Sequence, residues 1–185
     1  EKNTLVIFTS DNGPWLNLPP RMLQGGNERW HSGLKGPLRG AKGTTYEGGH
    51  RVPAIFRWPG SIPEGRSSEQ MACTLDLFMT IIRAAGADPP PSRAIDGMDL
   101  LPFLKGSEAS PRKEFFYFLS NRLEGVRSGD WNLHITGRLD PQREEPIITT
   151  ELFHLGRDPA ENYNVAERHP DIVSRLYARM KSMAA

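Results

Sequence analysis

Residues 4–14 read TLVIFTSDNGP. Leu5, Val6, Ile7, Phe8 and Thr9 form a run that is apolar except at its last position, which predicts a buried strand of parallel type. Ser10, Asp11, Asn12 and Gly13 follow at once, and in open α/β sheets the ligand crevice lies just beyond the carboxyl ends of the strands. Asp11 offers a carboxylate and Asn12 an amide carbonyl, both oxygen donors suited to hard cations such as Ca²⁺ or Mg²⁺. Asp-Asn-Gly-Pro is also good turn chemistry, so the tetrapeptide taken alone reads first as a turn and second as a metal site.

A second stretch, residues 38–53, reads LRGAKGTTYEGGHRVP. Gly40, Gly43, Gly48 and Gly49 leave the backbone free for close approach to a ligand, and Lys42 and Arg51 supply positive charge. The segment is not a P-loop, because Ala41 separates Gly40 from Lys42 and Gly43 stands where Ser or Thr should follow. A lysine of this kind is either a solvated surface charge or, among so many glycines, part of an anion clamp. Glu47 and Arg51 read as a structural ion pair or turn braces. His50 is either a donor to a ligand or a residue of the outer surface.

Together these stretches resemble the formylglycine-dependent sulfatases of the alkaline-phosphatase-like superfamily. In that family a strand ending in Asp-Asn-Gly gives two ligands of the active-site cation, and a Gly-x-Lys-Gly-[ST]-x-x-Glu-Gly-Gly segment carries the lysine that holds the sulfate. The resemblance implies Asp11 and Asn12 as metal ligands, Ca²⁺ in preference to Mg²⁺, and Lys42 as a catalytic, sulfate-binding residue. It continues through VRSGDWNL at 126–133 and ELFHLGRDPAENYNV at 151–165. The family's nucleophile motif, Cys or Ser followed by x-Pro-x-Arg, is missing: Cys73 precedes Thr74, Leu75, Asp76 and Leu77. Two further metal-binding aspartates and the active-site histidines also come from earlier in such chains.

The resemblance therefore implies an α/β fold. Residues 1–110 are expected as the C-terminal part of the sulfatase catalytic domain, and 111–185 as a small antiparallel sheet packed with a C-terminal helix. Formylglycine and the N-terminal half of the enzyme are expected upstream. The implied activity is sulfuric ester hydrolysis on a sugar or aryl sulfate, with this chain inactive by itself. Two alternatives stand: a phosphoesterase of the same superfamily with an unmodified Thr or Ser nucleophile upstream, and a non-catalytic domain that binds sulfated glycans or serves only structure.

Composition bounds the remaining classes. With 37% hydrophobic and 24% charged residues, the 185-residue chain is globular in type and long enough for a sizeable core. A net charge of +1 argues against a general nucleic-acid binder, so any anion recognition is local. No apolar run approaches the ~18 residues of a membrane helix, so no membrane partner is expected. The single cysteine forbids an internal disulfide and leaves the compartment open. Only the family resemblance suggests export, of periplasmic, secreted or lysosomal type.

Between the two stretches, residues 15–36 lose all periodicity. A loop of that length inside a domain usually carries function, and it reads as a wall of the substrate pocket. Trp15, Arg21, Trp30 and His31 are its candidate contacts, since aromatic faces and cations suit sugar or aryl sulfate esters; packing or solvation is the alternative use of each. Downstream, 54–58 predicts a strand. Asp76 caps a helix with Leu77, Phe78, Ile81, Ile82 and Ala85 on one face and Gly86 past its end, and Asp99 caps another over 100–105. Cys73, in an apolar run, reads as a small hydrophobe.

A composition shift at 106–112 marks a boundary. Strands are expected at 115–119, 123–128, 132–136 and 150–155, with Gly129-Asp130 as a hairpin turn. The last helix starts at Pro170 and turns Ile172, Val173, Leu176, Met180 and Met183 to one side. His154 and His169 read as structural. A first strand lacking sheet neighbours would leave an exposed edge, so self-association is expected.

Overall fold

The computed structural model describes residues 2–16, 18–23, 25, 26, 28–138 and 147–184, without the side chains of Arg29 and Arg138. The architecture is mixed α/β, with small antiparallel sheets and a C-terminal helix. Two compact units are formed, one from Glu1–Asp11 and Pro53–Lys113, the other from Asn12–Val52 and Glu114–Ala185.

In the first unit β1 (Val6–Thr9) pairs with β2 (Ala54–Arg57), and Phe8 lies opposite Ile55. The expectation of a buried, parallel-type strand is corrected: the pair is antiparallel, and Val6, Phe8 and Ile55 are 47%, 60% and 60% exposed. A continuous apolar run signals a demand for cover on both faces, but it carries no information about the direction of the neighbour.

The helices of this unit are α2 (Asp76–Ala84) and α3 (Leu101–Lys105). With Leu75 standing at the N-cap, Asp76, expected to cap α2, is instead its first residue and makes no cap hydrogen bond. Fully buried, it accepts the Cys73 and Met98 N–H groups, each at 2.9 Å, and is clasped by the Arg112 guanidinium, Nε at 2.8 Å. Thr80 joins the same network, taking the Leu100 N–H at 3.0 Å. Asp99 caps α3 as its position predicts, accepting the Leu101 N–H at 2.8 Å, and left-handed Gly106 ends that helix. On α2, Leu77 and Ile82 are half-buried, but Phe78 and Ile81 are exposed, so the stripe read from the sequence is only partly covered. Cys73 is half-buried, and burial, followed by the Asp76 charge, pushes its thiol up.

The second unit contains a meander of β3 (Glu114–Leu119), β4 (Arg122–Ser128), β5 (Trp131–Arg138) and β6 (Ile147–His154). Gly129-Asp130 is the two-residue turn between β4 and β5, with Gly129 at φ 59° in the first central position, as a type II′ turn requires. One face of the sheet packs on α4 (Pro170–Ala184) through Val126, Leu133, Leu152, Leu176 and Met180. Met183, expected on the inner face of α4, is exposed near the helix end. Alternation then places Phe115, Tyr117, Arg127, Asn132, His134, Glu151 and Phe153 on the opposite face. That face is largely polar, and residues 39–50 cover it.

Candidate functional site

The two glycine-bearing stretches meet, backbone on backbone, in the second unit. Gly13 donates its N–H to the Gly49 carbonyl at 2.9 Å, and Lys42 donates its own to the Pro14 carbonyl at 3.1 Å. The approach is too close for any side chain, since a Cβ on Gly13 would sit 1.9 Å from the Gly48 carbonyl oxygen. Residues 47–50 form α1 (Glu47–His50), a single turn whose Gly48 N–H reaches back to the Arg39 carbonyl at 2.7 Å. Thr44 closes the preceding bend, its hydroxyl donating to the Ala41 carbonyl at 2.9 Å.

From this cradle the Lys42 side chain projects outward and is exposed. Its ammonium lies 5.1 Å from the centre of the Trp15 ring, inside the range at which the quadrupole of an indole attracts a cation. Among the loop residues singled out from the sequence, Trp15 is thus brought to Lys42. Trp30 and His31 form a separate edge-to-face pair at 5.8 Å on an exposed short helical turn, with His31 Nδ1 accepting the Glu28 N–H. Arg21 is exposed. An exposed cation over a half-buried aromatic ring can hold an anion against an apolar plane.

Beneath the cradle lies a buried polar cluster that the sequence reading did not find. Glu47 is buried, with ion pairs to Arg127 at 3.5 Å and Arg51 at 3.8 Å, and it accepts the Tyr117 hydroxyl at 3.3 Å. The expected Glu47–Arg51 pair therefore exists, but Arg127 is the nearer partner. Burial lifts the Glu47 carboxyl above its usual range; Arg127 opposes this and the Glu161 charge reinforces it. Glu161, also buried, accepts the Glu47 N–H at 2.8 Å and the Asn132 side-chain amide at 2.9 Å, with His134 Nε2 at 3.2 Å. To one side Arg39 stacks on Tyr46 at 4.0 Å and pairs with Glu151 at 2.9 Å. Burial, then the hydrogen bond to Glu151, pushes the Tyr46 phenol up to about 12, so it stays a donor.

Period-two spacing of Asn132 and His134 on an otherwise apolar strand was the available signal for this cluster. His50 lies at the border, its ring 5.0 Å from that of Tyr117. His154 and His169 both pack on Trp131, at 4.7 and 5.0 Å, in keeping with structural roles.

Asp11 is the last residue of the first unit and Asn12 the first of the second. Asp11 is exposed and Asn12 half-buried. A carboxylate and an amide oxygen suit a hard cation in kind but not in number, since Ca²⁺ takes about six to eight oxygens. Among the described residues no group of three or more His, Cys, Asp or Glu side chains gathers as a metal site. A complete cation site is therefore not built from these residues. No helix among them is long and apolar enough to cross a membrane.

The combination of small antiparallel sheets, C-terminal helix and glycine-rich cradle is that of an alkaline-phosphatase-like fold. The family profile described as Sulfatase matches residues 1–87. The chain is 38% identical to N-acetylgalactosamine-6-sulfatase of Canis lupus familiaris, over 95% of its own length and 36% of that protein's. With arylsulfatase A of Homo sapiens the identity is 39%, over 95% and 36% of the two lengths. Superposition on the crystal structure of PsFucS1 sulfatase from Pseudoalteromonas sp. gives a TM-score of 0.79 at 28% identity, covering 99% of this chain and 37% of that one. The chain belongs to the sulfatase family, and it spans a little over a third of the length of the curated relatives it matches.

Proposed function

We propose that this chain carries the sulfate-recognising part of a sulfuric ester hydrolase, corresponding to the C-terminal part of that enzyme. The observation that carries this reading is the exposed Lys42 ammonium beside Trp15, on a glycine-rich cradle tied by hydrogen bonds to the residues just after Asn12. Lys42 would neutralise charge on a sulfuryl group, and Trp15 would offer its face to the sugar or aryl part of the ester. Trp30 and His31 would extend the wall of that pocket. Asp11 and Asn12 would give two donors to a divalent cation, Ca²⁺ in preference to Mg²⁺, which supplies Lewis-acid polarisation when bound. The attacking group belongs to formylglycine, whose motif this sequence does not contain, so turnover of an aryl sulfate is not expected from this chain alone. A periplasmic, secreted or lysosomal-type setting fits the same reading.

Calorimetric titration with sodium sulfate tests it. A charge-assisted hydrogen bond contributes about 1.5–3 kcal/mol, so Lys42→Ala should weaken sulfate binding by roughly ten- to a hundredfold. Equal affinity in the variant and the parent would remove Lys42 from sulfate recognition.

A further inference from the structure

We infer that Glu161, some 110 residues downstream of the cradle, is the residue that positions the Lys42 segment for anion binding. This rests on the reading of Lys42 as the anion-holding group. Three features carry it. First, one oxygen of the Glu161 carboxylate accepts the Glu47 N–H at 2.8 Å, the donor that opens α1. That turn supplies the Gly49 carbonyl held by Gly13 and the Gly48 N–H held by Arg39, so its placement sets the base from which Lys42 projects.

Second, the other oxygen of Glu161 is fixed to the sheet, by the Asn132 amide at 2.9 Å and His134 Nε2 at 3.2 Å. The carboxylate is a rivet between β5 and the cradle, 1% exposed. Third, Glu161 has φ 54°, in the left-handed region where glycine or asparagine is the easy occupant. A glutamate kept in that conformation indicates that its side chain, rather than the turn alone, is required. Its own carbonyl also receives the Arg39 guanidinium at 3.3 Å, a second tie to the segment that leads into the cradle.

Two conservative variants separate reach from charge. Glu161→Asp keeps the charge but withdraws the carboxylate by one methylene from the Glu47 N–H. Glu161→Gln loses the charge but keeps the reach: its amide oxygen can take the Glu47 N–H while its NH2 faces Asn132 and His134, which can accept through an amide flip and the other ring tautomer. Amide hydrogen exchange on the whole chain, compared between residues 38–52 and the β4–β5 hairpin, is the readout. Loss of one such hydrogen bond corresponds to about tenfold faster exchange, expected in 38–52 for Glu161→Asp, with the hairpin unchanged and Glu161→Gln close to the parent.

The opposite order, with Asp tolerated and Gln not, would show that Glu161 only balances buried charge and would overturn the inference. Uniform loosening of both regions would do the same, because it is what a general packing role produces. Sodium sulfate titration of the same proteins reads the second half, with sulfate affinity falling about tenfold in Glu161→Asp and not in Glu161→Gln. If exchange behaves as expected but the parent binds no sulfate, the anion reading fails and the rivet stands.

Discussion

Asp76 in the first unit and Glu47 in the second are both buried carboxylates, but their surroundings differ in kind. Asp76 receives an arginine fork and two backbone N–H groups, so burial, which opposes its ionisation, is outweighed and its pKa lies below the usual range. Glu47 has arginines only at 3.5 and 3.8 Å, a second carboxylate in Glu161 nearby, and one oxygen without a hydrogen bond among the described residues. Its pKa lies above the usual range. Asp76 holds helices and loops together and presents nothing to solvent. The Glu47 cluster supports the cradle from which an exposed lysine projects. Satisfied charge marks the scaffold here, and incompletely satisfied charge marks the segment proposed to bind a ligand.

The contrast is broken most severely at Asp76. Asp76→Ala leaves Arg112 buried without its partner, a loss that typically costs about 3–5 kcal/mol, read as a lower midpoint in denaturant unfolding. A midpoint unchanged within error would show that the Asp76 network is dispensable.

pH sharpens the comparison, because the two groups have opposite signs. Asp76 has a depressed folded pKa, so its stabilisation is present above its unfolded value of about 3.9 and is lost as pH falls through the folded value. Glu47 has a raised folded pKa, so between its unfolded value of about 4.3 and the folded one the folded chain binds the extra proton, and stability declines as pH rises through that window. Arg127, Arg51, Tyr117 and Glu161 are the groups facing Glu47. Glu47→Gln should therefore remove stability that the parent gains on mild acidification from neutral pH. Unfolding free energies for the two proteins that run parallel across that range would contradict the assignment.

The smallest effect on stability is expected at the exposed pair Phe8 and Ile55. Phe8→Lys should change unfolding free energy by no more than about 0.5 kcal/mol while lowering the mass seen by light scattering, since the parent is expected to self-associate through this face. A parent that is already monomeric would remove that face as a contact.

What the sequence made legible follows the range of the interactions. The Gly129-Asp130 turn, Asp99 as a cap and the start of α4 at Pro170 depend on neighbours within a few residues, and each is found where the pattern predicts it. The glycines of 38–53 were legible as sites of close approach, but the partner read for them was a ligand, whereas Gly48 and Gly49 meet the backbone at Gly13 and Arg39. The direction of β1 was not legible, because Phe8 pairs with Ile55 across a long connection and apolarity is blind to strand direction. Nor was the Glu161 cluster. Glu47, Asn132, His134 and Glu161 are ordinary polar residues one by one, and only the face shared by Asn132 and His134 hints that something polar is buried there. Trp15 was legible as a candidate contact, while its placement beside Lys42 depended on the fold of the intervening loop.

Whether the glycine-rich cradle or some other surface recognises sulfate can be read from nuclear magnetic resonance of the nitrogen-15-labelled chain during titration with sodium sulfate. Saturable shifts are expected only at the amides of residues 40–44 and the Trp15 indole N–H, absent in a sodium chloride titration of equal ionic strength and abolished by Lys42→Ala. Saturable shifts centred elsewhere, or shifts identical in sulfate and chloride, would contradict recognition by the cradle.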